Sequence, residues 1–467
     1  MRALLSWSVC AASLAACHSD VSLGGPNTLV RVDHEDAGVN CATGGVAIHT
    51  GLDRDGDTFL DEDEVTSTQF VCNGATDVAC AGGNVLEGTI TISEPGDFAQ
   101  LDGVNCIKGE LLIAGATAEQ LPPHPDLQIV TGDLVIAGNP NLSSLGGFSQ
   151  LREIGGTYLI QGNTALTDIT ALGKIRRAGG VQLVGNDALQ DLTGLGALVD
   201  IGFSLVIAHN ANLTSLAGLD QLRATSQTLA IRANRALTSL DALANLRQAQ
   251  LIDISGNDAL TAISLPGLQK VDVRLLVTTN VALRSVALPA LTTVGDFLRL
   301  DNNPTLAQID LPALLTTGSL LVSGGNSLST VRAPRLSFAT TAVRLENLPK
   351  LTAVAFDQLT SVGDALLLTS VPGLTALTGF PELRSIGGDF SLTGTTVLRD
   401  FTGLDALQTV SGTMTVSGNA QLSSFTGLGG LDEVGSNLSI TANPMLLKAT
   451  SQAFAQRITV RGRVTIN

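Results

Sequence analysis

Asp133-Leu134-Val135-Ile136-Ala137-Gly138-Asn139-Pro140-Asn141-Leu142 is the stretch that decides the fold, because the chain repeats it. Ser204-Leu205-Val206-Ile207-Ala208-His209-Asn210-Ala211-Asn212-Leu213 follows the same frame, and so does Thr413-Met414-Thr415-Val416-Ser417-Gly418-Asn419-Ala420-Gln421-Leu422. With φ for an apolar residue, the frame is x-φ-x-φ-x-x-Asn-x-x-Leu-x-x-φ. A second apolar triplet follows, as at Leu219 and Leu222 or Leu404 and Leu407. The Asn column runs Asn139, Asn163, Asn186, Asn210, Asn234, Asn257, Asn280, Asn303 and Asn326, at spacings of 23 or 24 residues. It resumes at Asn419 and Asn443, while Leu348, Val371 and Thr395 take the slot between. A fixed period of this length marks a solenoid, in which each unit buries its apolar face only by stacking on the next.

The physics of one unit follows from the frame. The alternation φ-x-φ is a short strand with one face inward. Every coil restarts in the same direction, so neighbouring strands are parallel. The Asn after the strand turns the chain, since Asn tolerates left-handed dihedrals and its amide can bond the backbone of adjacent turns. Repeated once per coil, it builds a ladder, and the column is structural. No unit carries a helical pattern of 10–12 residues. Leu265-Pro266, Leu288-Pro289, Leu311-Pro312 and Ala333-Pro334 argue for extended sides instead. The expected fold is all-β: a parallel β-helix of about 15 coils, which at ~4.8 Å per rung makes a rod about 70 Å long. Asn141-Leu142-Ser143 and Asn212-Leu213-Thr214 match glycosylation sequons but sit inside this frame.

The repeat resembles the receptor L-domain, the leucine-rich-repeat-like β-helical domain of insulin-receptor and EGF-receptor ectodomains. The resemblance covers residues 80–467 and implies a solenoid that binds protein ligands on a sheet face. It does not bring signalling with it, since the chain has neither a kinase region nor a membrane-spanning segment. Apolar cross-sections at both ends need caps. The Cys-flanked N-terminal module serves one end. The other falls to residues 449–467, which break the repeat and carry Arg457, Arg461 and Arg463. Those three arginines could instead dock an anionic partner.

The N-terminus reads as an address. Arg2 precedes an apolar stretch, Ala3 to Ala16, that is too short to span a bilayer and fits an export signal. Leu14-Ala15-Ala16-Cys17 resembles the bacterial lipobox. The resemblance implies cleavage after residue 16 and acylation of Cys17, which would anchor the chain to a membrane through several acyl chains. His18 is not the Asp that retains many such lipoproteins at the inner membrane, so the outer membrane is favoured. Residues 17–40 then form a lipidated linker.

Four cysteines remain beyond the signal and Cys17: Cys41, Cys72, Cys80 and Cys106. In an oxidising compartment they staple the N-terminal region. Cys41–Cys72 and Cys80–Cys106 is the favoured pairing, because each pair encloses one compositional unit. A zinc site would want paired C-x₂-C spacing, which is missing.

Within the module at 41–79 lies Asp53-Arg54-Asp55-Gly56-Asp57-Thr58-Phe59-Leu60-Asp61-Glu62-Asp63-Glu64. Counted from Asp53, acids at positions 1, 3, 5, 9 and 12 reproduce the oxygen spacing of an EF-hand-type calcium loop. Asp53, Asp55, Asp57, Asp61 and Glu64 would ligate through side chains and Phe59 through its carbonyl. Thr58 stands where that loop wants Gly, and the flanks (Val46–His49, Gln69–Cys72) read as strands rather than helices. A structural Ca²⁺ is one reading, and a solvated acidic turn closed by a disulfide is the other. The segment from Cys41 to Gly74 is also similar to a small module near the lipidated end of bacterial surface lipoproteins, one with no assigned activity.

Composition narrows the function classes. The 467 residues hold 26 Lys+Arg against 42 Asp+Glu, a net charge of −16, with 3% aromatics and 50 Gly. No Lys/Arg cluster is present in sequence, which argues against nucleic-acid binding. The five histidines are scattered and form no HExxH. His209 reads as a solvated turn residue. Acid pairs such as Glu382 near Asp389 are too common to indicate catalysis. The chain is therefore expected not to be an enzyme; a polysaccharide-active β-helix is the catalytic alternative. The expected function is a cell-envelope protein whose solenoid face recognises a protein or glycan in adhesion, with a non-catalytic spacer as the alternative. Strand alternation places Arg232, Asp253, Arg274, Arg299 and Arg344 on the outer face, where a partner site belongs.

Overall fold

The computed structural model describes residues 28–35, 45–52, 64–72, 80 and 82–467. The chain divides into two compact units, Met1–Asp77 and Val78–Asn467. In the first, β1 (Thr28–Glu35), β2 (Gly45–Leu52) and β3 (Val65–Cys72) form an antiparallel sheet in that order. β1 falls within the stretch expected to be linker. Strands β2 and β3 flank the acidic segment, where an EF-hand would have helices.

The second unit winds through about 17 turns as an all-β parallel solenoid. The count exceeds the expected 15 because irregular coils at both ends also stack. One ladder runs the whole length: Ile90, Leu111, Leu134, Tyr158, Val181 and Leu205 pair in succession. It ends through Phe390, Met414, Leu438 and Val464. Every one of these pairings is parallel. Along each strand the φ positions are buried and the x positions partly open, as at Leu134–Ala137 and Met414–Ser417. This ladder is called the main sheet below.

Two designs close the far side of each coil, and one residue decides between them. At Thr170–Leu172 and Thr193–Leu195 the side is a 3₁₀ turn, and its apolar residues step by three, as from Ile169 to Leu172. Between Ala262 and Ala355 the step is two, as from Ile263 to Leu265, and this side becomes a five-stranded parallel sheet. A spacing of two matches an extended strand and a spacing of three a 3₁₀ turn. Pro266, Pro289, Pro312 and Pro334 each follow the end of one of these short strands, consistent with the extended sides read from sequence.

The Asn ladder forms, with two corrections. Asn139 through Asn303 are buried, and each side-chain oxygen accepts from the preceding coil: Asn186 N donates to Asn210 Oδ1 at 3.0 Å and Asn210 N to Asn234 Oδ1 at 3.1 Å. The amide also ties two coils together, as Asn210 Nδ2 donates to Leu183 O at 2.9 Å. First, the left-handed residue is the one before the Asn, not the Asn itself. Gly138, Gly162, Gly185 and His209 hold φ between 55° and 66° there. The Asn needs ordinary backbone angles to aim its amide inward.

Second, Asn326 is exposed and outside the ladder. This coil is one residue short, so Gly325 takes the slot and its carbonyl accepts from Leu328 N, as Asn303 O does from Leu306 N. A Cβ on Gly325 would lie 3.2 Å from Leu348 Cδ2, so the next coil's leucine fills the room an amide would need. Leu348, Val371 and Thr395 then carry the column, buried, until Thr395 Oγ1 reaches Asn419 Oδ1 at 2.8 Å and the ladder restarts.

Polar side chains bind the coils elsewhere too. Thr352 Oγ1 donates to Ser329 O, and Thr375 Oγ1 to Thr352 O, in a column of hydroxyls. Asp133 and Asp389 each accept the N–H of the residue one coil later, Thr157 at 2.6 Å and Thr413 at 2.7 Å. A disulfide joins Cys80 to Cys106 at the first coils. At the other end the repeat gives way to α1 (Lys448–Arg457), the one α-helix among the described residues. Phe454 stacks on Phe425 with ring centroids 4.0 Å apart, and the Arg457 guanidinium donates to the carbonyls of Leu428, Gly429 and Leu431. Arg461 pairs with Glu433 at 2.7 Å. Two of the three tail arginines are thus engaged in closing the last coil.

Candidate recognition face

The outward positions of the main sheet converge in the middle coils. There the strands lengthen to eight or nine residues, from Ala224–Arg232 through Phe338–Glu346. Parallel register stacks Asp253, Leu276, Arg299, Leu321, Arg344 and Leu367 in one outward column. Leu251, Arg274 and Phe297 form part of a second column, and Arg232, Ser255, Thr278, Asp301, Ser323 and Glu346 a third. Residues about 23 apart in sequence therefore become neighbours ~4.8 Å apart. The fold assembles a group of arginines that the sequence shows only as isolated charges.

The charges pair between coils. Arg232 Nε meets Asp253 Oδ2 at 2.7 Å, and Arg274 Nε meets Asp296 Oδ2 at 2.9 Å. Arg299 meets Asp301 at 2.8 Å within its own strand, and the Ser323 hydroxyl bonds the same carboxylate. The Arg274 guanidinium also lies over the Phe297 ring at 4.8 Å. The acids Asp253 and Asp301 lie beneath, with side chains 11% exposed, while the guanidinium-bearing side chains of Arg232 and Arg299 are 29% and 31% exposed. Asp253 is thus on the outer face in register, but it is covered rather than presented. Its Oδ1 has no hydrogen-bond partner among the described residues. Arg344 is exposed and forms no ion pair among them. At the edge of the patch Lys270 sits 2.5 Å from Asp272 and Gln248 Nε2 at 2.9 Å, and these bonds hold that carboxyl below its ordinary value against the opposing effect of partial burial.

Between the charges Leu251, Leu276, Phe297, Leu321 and Leu367 are half-buried on the outside of the sheet. Arginine and aromatic side chains are enriched in protein-contact surfaces. Towards the C-terminus the face changes to hydroxyls at Ser391, Thr393, Thr415, Ser417, Ser439 and Thr441, with Ser417 and Thr441 hydrogen-bonded at 3.0 Å. Among the described residues no three His, Cys, Asp or Glu side chains gather as a metal site. A shallow hollow lined by Gly146, Ser149, Thr170, Ala171, Gly173 and Lys174 presents a single titratable group.

The remaining sequence-derived sites fall as follows. Cys17, Cys41, Asp53, Asp55, Asp57, Phe59 and Asp61 lie outside the described residues. Glu64, the residue before β3, is buried, and Cys72 ends that strand. His209 is exposed on a left-handed turn. Glu382 lies 3.7 Å from Arg384, while Asp389 is engaged with Thr413, so the two acids serve separate bonds.

Fold and face together define the class, an all-β parallel solenoid with an asparagine ladder and a mixed apolar–arginine sheet face. Residues 27–72 match a protein family described as a domain of unknown function, DUF7151; that span takes in β1, β2, β3 and the acidic segment. No curated protein matches the chain.

Proposed function

We propose that this is a lipid-anchored cell-envelope protein whose solenoid offers the main-sheet face of its middle coils to a protein or glycan partner in adhesion. The observation that carries the reading is the outward column of Leu276, Arg299, Leu321, Arg344 and Leu367, in which apolar groups alternate with guanidinium groups coil by coil. The resemblance to the receptor L-domain, whose members bind protein on a sheet face, points the same way. Attachment through acylated Cys17, with the outer membrane favoured, rests on the lipobox-like Leu14-Ala15-Ala16-Cys17.

Leu276→Asp and Arg344→Glu, made together, test the face. Loss of binding in envelope pulldowns and on a glycan panel is expected, with thermal stability within a few degrees of the parent. Unchanged capture by a folded variant would leave the second reading, an envelope spacer without a specific ligand. Intact mass of the mature protein tests the anchor: the expected product begins at Cys17 with acyl chains, and Cys17→Ala should release it from membranes. For the acidic loop the reading is one structural Ca²⁺ held by Asp53, Asp55, Asp57, Asp61, Glu64 and the Phe59 carbonyl. Calorimetry on the whole chain should show saturable heat that Asp53→Asn abolishes, and no heat at millimolar calcium would leave the solvated-turn reading.

A further inference from the structure

One interior column breaks its own rule at a single place. In coil after coil, shortly before the chain returns to the main sheet, the carbonyl of one residue accepts the N–H of a buried apolar residue three further on, as Phe148 O does from Leu151 N and Leu172 O from Ile175 N. Across the coils this position is filled by Leu, Phe or Ala, all buried. In the coil that ends at Leu127 it is filled by His124, whose carbonyl accepts from Leu127 N in the same way.

The imidazole is 3% exposed and lies between the rings of Phe98 and Phe148, with centroids 5.9 and 6.2 Å away. Its Nε2 has no hydrogen-bond partner among the described residues. Its Nδ1 lies 3.9 Å from Asp102, whose own side chain is 76% exposed at the coil's edge. The other charged groups nearby are few. Asp97, on the turn that brings Phe98, is held by the backbone N–H groups of Ser93 and Glu94. The turn Gly146–Phe148 brings none, and Asp126 on the histidine's own segment is exposed.

We propose that His124 is an acid-sensitive joint in the first coils: neutral, it completes the Phe98–Phe148 stack, and protonated, it leaves the stack towards Asp102 and solvent, so that residues 90–150 open while the rest of the solenoid stays wound. A charged imidazolium between two phenyl rings loses its water without gaining a full counter-ion, whereas Asp102 offers one outside. Burial pushes the imidazole below its ordinary 6.5, and Asp102 opposes that shift. The sign follows: the folded state prefers neutral His124, so stability is complete above 6.5 and falls as pH drops through that value. The device is independent of the recognition face.

Amide hydrogen exchange on the whole chain at pH 7.5, 6.0 and 5.0, corrected for intrinsic rates, tests it. Protection of peptides from 90–150 should fall more than that of peptides from 270–350, by up to ~30-fold at pH 5.0, since opening gains a factor of about ten for each pH unit between 6.5 and the lowered value in the folded state. His124→Phe and His124→Leu should abolish the difference. Asp102→Asn, an exposed change that leaves the stack in place, should move the opening to lower pH. The proposal is overturned if the wild-type chain shows no differential loss, if the His124 variants keep it, or if Asp102→Asn leaves its midpoint where it was.

Discussion

Replacing Asn210 by Ala removes one rung of the ladder at a site with no exposure. Four groups lose a bond; Asn186 Nδ2 keeps Ile160 O and Asn234 Oδ1 keeps Asn210 N, and the two partners that weigh most are Asn186 N, which donated to Asn210 Oδ1 at 3.0 Å, and Leu183 O, which accepted from Asn210 Nδ2 at 2.9 Å. Both partners lie inside the coil. A buried polar group left unpaired costs about 1–3 kcal/mol, so the two together cost about 2–6 kcal/mol. Since 1.4 kcal/mol is a factor of ten, local opening should become at least ~30-fold more frequent. A repeat array need not unfold in one step, so a global midpoint is the wrong readout. Amide exchange of the main-sheet strands at residues 180–184 and 205–208 is the right one, with residues 390–417 as an internal reference. Asn326→Ala is the matched control, because that residue is exposed and off the ladder, and its effect should stay within about 0.5 kcal/mol. If Asn210→Ala and Asn326→Ala behave alike, the ladder does not carry the load assigned to it.

Other changes follow from single contacts. Tyr158 buries a hydroxyl with no partner among the described residues, so Tyr158→Phe should leave the melting temperature unchanged or raise it, by about 1 kcal/mol in stability. Phe454→Ala removes the ring stacked on Phe425 and should cost about 3–5 kcal/mol locally, read as new proteolytic cleavage after residue 430 with the earlier coils intact. Gly156→Ala would drive a methyl into the Asp133 carboxylate that holds Thr157 N, and thermal melting should show a loss of about 1–3 kcal/mol.

The solenoid was legible because each coil repeats the same demands on its residues: an inward Leu or Ile, an amide at the turn, and Leu three residues later. The register slipped at Asn326 because one coil is a residue short and an Asn happens to stand beside the true slot at Gly325. The choice between 3₁₀ turn and strand on the far side was written in the step from Ile169 to Leu172 against that from Ile263 to Leu265. A difference of one residue in about 23 is easy to pass over when the period is read from the Asn alone. Helix α1 left little trace, since it buries only Ser451 and Phe454. The outward face was half legible. Alternation placed Arg232, Asp253, Arg274, Arg299 and Arg344 correctly on the outer side, but not the pairing that sinks Asp253 beneath Arg232. That contact joins residues of successive coils, and it needs the register as well as the alternation. His124 looked like one scattered histidine until the column around it was assembled.

On the proposed function the middle coils meet a partner through their main-sheet face. Site-specific photo-crosslinking on intact native cells tests it most directly, with the crosslinking side chain placed at Leu276 or Leu321 and, as controls, at exposed Lys350 and Asp310 away from that sheet. A discrete adduct from the first two positions and none from the controls is the result expected. Equal labelling at all four, or adducts from the controls alone, would contradict the account.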